Sequence, residues 1–475
     1  MKTDLLRKPL ALLRRLGFLR HAMGFDALST RLDMLDRGVS ATLQRLDRIE
    51  QEIQNFIAFT SFHLDRLERS TSLVARAQKQ TGKRIRAVFL VHSIETWDAL
   101  GDVFEAMRKD SRFDPIAISI DRRYPGQNRP SGEEKTSQEL DRISVPHLRF
   151  GMENSFEGLD MLRALSPDII FRQSQWDDDY PPAFSTPCLS FSKLCVVPYG
   201  ISIVKHFKID GSDGEFEKNF DQYYHRIAWR IFCETPFSRN RYLNLKHGVE
   251  EKYILTGYPK LPRILRGREA PVWPLQSSGS TKKLRVIWAP HHSIDGKWLG
   301  FGVFPSMMWK MLAFVKKNPD RFEWVLRPHP ALFTLAVSIG AVSAEEMKRF
   351  IREWFECGNC MIDTGGNYGP LFAASDIMVT DGVSFLTEYP LFDKPLIFID
   401  SGTHVPVNET GDASIDCAIT VRDFSGIEAE LNRFEATRIE ADPSIVEKRQ
   451  RLKAIVMPTS ANPADLIIEN IASSV

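Results

Sequence analysis

The chain reads as an α/β protein built from two Rossmann-like domains behind an N-terminal helical extension. Three observations lead there. Apolar strands and amphipathic helices alternate from Lys83 onward, the alternation is interrupted by a Pro/Ser/Gly-rich stretch near residue 270, and residues 31–80 carry a heptad pattern. Alternation at this spacing builds a parallel sheet covered by helices on both faces. A length of 475 residues exceeds one ordinary core and suits two domains plus an addition.

Hydrophobic residues make up 43% of the chain and charged residues 26%, the values of a soluble globular protein. The 62 Lys and Arg nearly balance the 61 Asp and Glu, so total charge points to no nucleic-acid partner. The six cysteines (Cys188, Cys195, Cys233, Cys357, Cys360, Cys417) are sparse and irregularly spaced. That is the usage of reduced thiols in a cytoplasmic protein. Cys357 and Cys360 form a CxxC with no second pair or histidine pair beside it, so structural thiols are expected. No apolar run approaches the roughly 18 residues of a membrane span.

In order, residues 1–30 begin with a basic amphipathic segment, Lys2, Arg7, Lys8, Arg14, Arg15 and Arg20 among leucines against Asp4. Such a segment suits peripheral contact with an anionic membrane face, here the inner face of the cytoplasmic membrane. Over 31–80, Leu32, Val39, Leu46, Ile53 and Leu67 fall on one seam position, and Leu35, Ile49 and Phe56 three residues later. This predicts a coiled coil and a homo-oligomer.

The first α/β domain is placed at 83–265, running from RIRAVFLV through FDPIAISID, VPHLRF, PDIIFRQ and SKLCVV to KYILTGYPKLPRI, whose end reads as a proline-punctuated turn. A linker is placed at 266–283. The second domain, 284–445, starts with LRVIWAPHHS and continues through FEWVLRPHP, LFAASDIMVT and PLIFID to CAITV. A helical tail, 446–475, is expected to cross back to the first domain.

Three polar clusters close strands of the second domain: Pro290-His291-His292-Ser293, Arg327-Pro328-His329-Pro330, and Thr380-Asp381-Gly382-Val383-Ser384. In a parallel sheet the strand C-termini share one edge, so these clusters converge in the crevice where nucleotides and phosphates bind. Arg327 suits phosphate through paired hydrogen bonds, and His329, fixed between prolines, suits a departing oxygen. The turn with Gly365 and Gly366 would let backbone approach an anion. Side chains on successive residues of an extended segment point opposite ways, so one of His291 and His292 is expected to face the cleft. Ser384 is expected to cap a helix or a phosphate. Glu388, one turn on along the same face, is expected to accept from ribose hydroxyls.

RPHP followed by LFAASDIMVTDGVSFLTEYPLFDKPLIF resembles the donor-binding half of the CDP-glycerol glycerophosphotransferases, the teichoic-acid polymerases and primases, over residues 284–400. The resemblance implies a glycosyltransferase-B fold with the donor between two domains. It implies donor-phosphate contacts from Arg327 and His329, a second loop at Thr380, Asp381 and Ser384, and ribose binding at Glu388. Gly382 and Val383 depart from the family's Tyr and Ser, and Glu388 from its Asp. The family's His-Gly turn, source of its acceptor base, corresponds here to Tyr199-Gly200. Tyrosine is a poor base near neutrality, which leaves His92 and His206 as the other first-domain groups for that role.

The implied activity is transfer of a glycerol-phosphate or glycosyl group from a nucleotide-activated donor to a polymer or lipid-linked acceptor. The donor would be CDP-glycerol or a CMP- or NDP-sugar, and the reaction would need no metal and no cofactor. The alternatives are a CMP/UDP-sugar glycosyltransferase, a sugar-nucleotide epimerase on a similar scaffold, and a degenerate scaffold protein assembling through its coiled coil.

Overall fold

The computed structural model describes residues 25–77, 84–123, 129–205, 208–209, 219–275, 283–438 and 442–475. Residues 1–24 of the basic segment, His206 and residues 276–282 of the linker lie outside them. The chain divides into two units, Met1–Ser70 and Thr71–Val475.

The first unit is built on the long helix Phe25–Ala77. The heptad residues Leu35, Val39, Leu46, Ile49, Ile53 and Phe56 are 50–69% exposed along it. Among the described residues no helix is long and apolar enough to cross a membrane.

The second unit holds two parallel sheets. The first comprises β1 (Ile85–Val91), β2 (Phe113–Ser119), β3 (His147–Arg149), β4 (Ile169–Arg172), β5 (Lys193–Val196), β6 (Arg230–Cys233) and β7 (Tyr253–Leu255), in the order β3-β2-β1-β4-β5-β6-β7. The second comprises β8 (Leu284–Ala289), β9 (Phe322–Leu326), β10 (Cys360–Ile362), β11 (Ile377–Thr380), β12 (Leu396–Ile399) and β13 (Ile419–Val421), in the order β10-β9-β8-β11-β12-β13. Both sheets reverse direction between their first and fourth strands, the topology of the doubly wound fold. Their strands are near-continuous apolar runs because each sheet is covered on both faces. In the first, Phe89 and Val91 pack to one side while Val88 and Leu90 pack to the other.

The helix Pro463–Ser474 lies on the first domain, its Ala464, Ile467 and Ile471 in one core with Leu100, Phe104 and Met107. The KLPRI segment is a helix, Lys260–Arg266, rather than a turn. Pro262 sits in its first turn, where N–H groups have no intrahelical acceptor and proline costs nothing. This helix carries the chain onto the second domain. Tyr258, Leu261 and Ile264 share a core with Tyr368, Leu371 and Phe372. A second seam runs along residues 202–205, where Asn408 N–H donates to Ile203 O at 2.9 Å and Lys205 N–H to Pro406 O at 2.9 Å.

At the first seam two glycines let backbones touch. A Cβ on Gly267 would run into the backbone of Gly369, and one on Gly369 into Ile264 O. Gly369→Ala is therefore expected to lower stability by about 1–3 kcal/mol, the range for overpacking. Gly366→Ala, facing open space, should leave the denaturation midpoint unchanged.

Candidate functional site

Strands β8 and β9 are neighbours at the centre of the second sheet, and their polar extensions stay paired beyond its edge. Arg327 N–H donates to Trp288 O at 2.8 Å, and His329 N–H to Pro290 O at 3.1 Å. This registry brings three imidazoles together. Ring centroids are 4.4 Å apart for His291 and His292, 3.7 Å for His292 and His329, and 5.4 Å for His291 and His329. The expectation that the two adjacent histidines diverge is corrected here. The segment turns instead of extending, Ile294 N–H reaching back to His292 O at 2.8 Å.

Burial holds all three rings neutral. It lowers His291 well below its ordinary value, His292 to about 4, and His329, with His292 beside it, to about 3. Backbone geometry then sets two tautomers. Nδ1 of His291 accepts from Ser293 N–H at 3.2 Å, and Nδ1 of His329 from Ala331 N–H at 3.2 Å. A backbone N–H can only donate, so the ring proton of each sits on Nε2. These histidines have nitrogens within 4.8 Å of one another, close enough to suggest a metal. A ligating imidazole, however, donates its other N–H to an acceptor, whereas here backbone N–H groups occupy that place in two rings. The set fits N–H donors for an anion and does not fit a metal.

Beneath this cluster lies Asp381, 1% exposed. Its Oδ1 accepts His291 N–H at 2.6 Å and its Oδ2 accepts Val303 N–H at 2.6 Å. Thr380 is equally buried, its hydroxyl donating to Ala289 O at 2.6 Å and accepting from Gly382 N–H at 2.9 Å. Both residues fasten strand ends and offer no free atom to a ligand.

Arg327 is also committed. Its guanidinium pairs with Asp363, donates to Gly365 O at 2.6 Å and lies 4.7 Å over the Tyr368 ring. It thereby shapes the Gly365-Gly366 turn. Glu388 is 3% exposed and accepts from the Tyr368 hydroxyl; burial raises its pKa, with Lys260 and Arg327 opposing. Ser384, at the exposed start of the helix Ser384–Glu388, does not share this position. The cap residue is Val383, with no side-chain cap, so the expected Ser384 cap is one residue out of register. Lys260, which also lies 4.7 Å from the centre of the Tyr368 ring, comes from the first domain. Lys260, Tyr368 and Asp363 were missed in the sequence because none falls in a motif. An aromatic between two glycines, Tyr368 in GNYG, was the available signal.

In the first domain, His92 follows β1 and Gln173 follows β4. Backbone N–H groups of His92 and Ser93 donate to Gln173 Oε1 at 2.7 and 2.9 Å. The His92 ring is 2% exposed, has no hydrogen-bond partner on either nitrogen, and lies 4.6 Å from Tyr180. Burial, then Arg122 and Arg172, lowers its pKa well below the ordinary value, which makes it a weak base. Tyr199 is 39% exposed, and its carbonyl accepts from Tyr258 Oη at 2.6 Å.

No family model matches the chain, and no curated protein matches it. Solved structures do match. UDP-GlcNAc 2-epimerase from Neisseria meningitidis, bound to UDP-GlcNAc, aligns with a TM-score of 0.53 at 14% identity over 82% of this chain and 100% of its own. The Methanocaldococcus jannaschii UDP-GlcNAc 2-epimerase, in complex with UDP-GlcNAc and UDP, gives 0.50 at 11% over 82% and 100%. The wall teichoic acid polymerase TagF gives 0.46 at 12% over 86% and 94%, a score too low to weigh. At these identities the likeness extends to the fold. The chain has two Rossmann-like domains of the glycosyltransferase-B type.

Asp381→Ala leaves two buried N–H groups without acceptors, at about 1–3 kcal/mol each, and should lower stability in denaturant titrations accordingly. Burial raises Asp381 to about 7, above its unfolded value. Its protonated form therefore contributes stability that is lost as pH rises towards and through about 7. Asp381→Asn should flatten that part of the stability–pH curve.

Proposed function

We propose that the protein is a transferase that moves a glycerol-phosphate or glycosyl group from a nucleotide-activated donor, of the CDP type, to a polymer or lipid-linked acceptor. The observation that carries this reading is the imidazole cluster at the C-terminal edge of β8 and β9. Two of its rings have the proton on Nε2, beside the point where the sheet reverses and nucleotides bind in doubly wound folds. Such donors stabilise the charge that develops on a diphosphate as the transferred group departs, and being fixed in place they need no reorganisation. Arg327 holds the neighbouring glycine turn, and Lys260 brings a first-domain cation to the same region. The proton of the acceptor hydroxyl goes to a first-domain group, His92 being the buried candidate and Tyr199 the exposed one.

Calorimetric titration with CDP-glycerol, CMP, UDP and UDP-GlcNAc tests the reading. Binding of CDP-glycerol, weakened about tenfold or more in His329→Ala, roughly 1.4 kcal/mol, supports it. Preference for CMP or UDP moves the donor to a sugar, and failure of all four to bind overturns the transferase. Loss of one donor to the developing charge should lower turnover by about 10²–10³. Product analysis separates transfer from epimerisation.

The heptad seam of Phe25–Ala77 supports self-association, since six of its apolar residues are exposed along one helix and Arg45 stands five residues before Glu50, the spacing that pairs flanking charges in a parallel coiled coil. Leu46→Glu with Ile53→Glu should reduce the mass measured by light scattering to that of a monomer without moving the main unfolding transition.

A further inference from the structure

We propose that His292 takes up a proton from solvent when the diphosphate of the donor enters the site, so that donor binding is coupled to protonation of the cluster. This rests on the transferase reading and adds to it the chemistry of binding. The argument begins with which ring can accept a second proton. In His291 and His329 the free Nδ1 already accepts a backbone N–H, so protonating it would set two N–H groups against each other. Nδ1 of His292 is buried and has no partner. His292 also touches both other rings and stacks on His329 at 3.7 Å.

Charge points the same way. Of the three rings, His292 is the one that a carboxylate acts on, Asp295, which favours its charged form. Around the cluster stand neutral His291 and His329, Trp298 at 5.1 Å from His292, and Asp381 holding the His291 N–H. The Arg327 guanidinium is occupied by Asp363 and Gly365. None of the three rings carries charge where two negative charges are to be placed, and an anion at hydrogen-bond distance favours the charged imidazole. The proton comes from water or buffer, and no bond to the donor is made or broken.

The test is calorimetric titration of the full chain with CDP-glycerol and with UDP-GlcNAc in buffers of different ionisation enthalpy, near pH 6.5, 7.5 and 8.5. The esterified diphosphates of both probes carry no group that titrates in that range. We expect uptake approaching one proton at the lowest pH. Affinity should fall by up to about tenfold per pH unit as pH rises, the slope that linkage sets for one proton. His292→Asn should abolish the uptake, and Asp381→Asn should retain it, which separates the ring from the carboxylate beneath. Binding without proton uptake, or uptake unchanged in His292→Asn, overturns the inference and leaves the transferase standing. Absence of binding by either probe overturns both.

Discussion

The second domain depends on one buried carboxylate. Asp381 follows β11, yet its two oxygens hold backbone from just beyond the end of β8 and from the entry to the helix Phe304–Lys317. Two backbone segments, 90 and 78 residues away from it in sequence, are thereby fixed at the point where the sheet reverses. The turn that brings His291 and His292 side by side starts at the N–H that Asp381 grips. A charged or half-charged acid this deep is costly unless hydrogen-bonded, and here the two bonds serve the fold by defining the edge on which the imidazoles stand.

Much of the fold was legible in the sequence because buried parallel strands are short apolar runs with polar ends. RIRAVFLV, LRVIWA and DIMVT announce themselves in this way. KLPRI was misread because proline marks a turn as readily as the first turn of a helix, and the choice was made by packing of Leu261 and Ile264 on the second domain. The site was legible only in part. RPHP and the two histidines stood out, but local pattern says nothing of which polar atoms remain open. Thr380, Asp381 and Glu388 looked like ligand contacts and are buried holders of backbone or of Tyr368. Lys260 and Tyr368 reach the site across the domain seam, a relation no spacing within one motif can show. The Lys394-Pro395 pair has a structural basis: Lys394 donates to Phe372 O at 2.9 Å and Ala373 O at 2.5 Å, closing the helix Gly369–Ala374 with positive charge where its carbonyls end.

The two domains meet along seams of different character. One is apolar and close, with glycine backbones in contact. The other is a short backbone pairing of 202–205 with 406–411, reinforced by Asn408 Nδ2 donating to Ser202 O at 3.0 Å. Lys260, Tyr368 and Glu388 belong to the first of these seams. Charged and aromatic groups from both domains therefore meet beside the turn that Arg327 shapes, and the position of the first domain influences the electrostatics of the second.

The helix Pro463–Ser474 has an implication for how the molecule comes to be built. It belongs to the core of the first domain, yet it is translated after the whole of the second. A chain emerging from the ribosome presents Leu100, Phe104 and Met107 without the partner that covers them until some 350 further residues have followed. The domain that is first in sequence is thus the last to be completed, and the interval exposes an apolar face of the kind that draws chaperones or promotes aggregation.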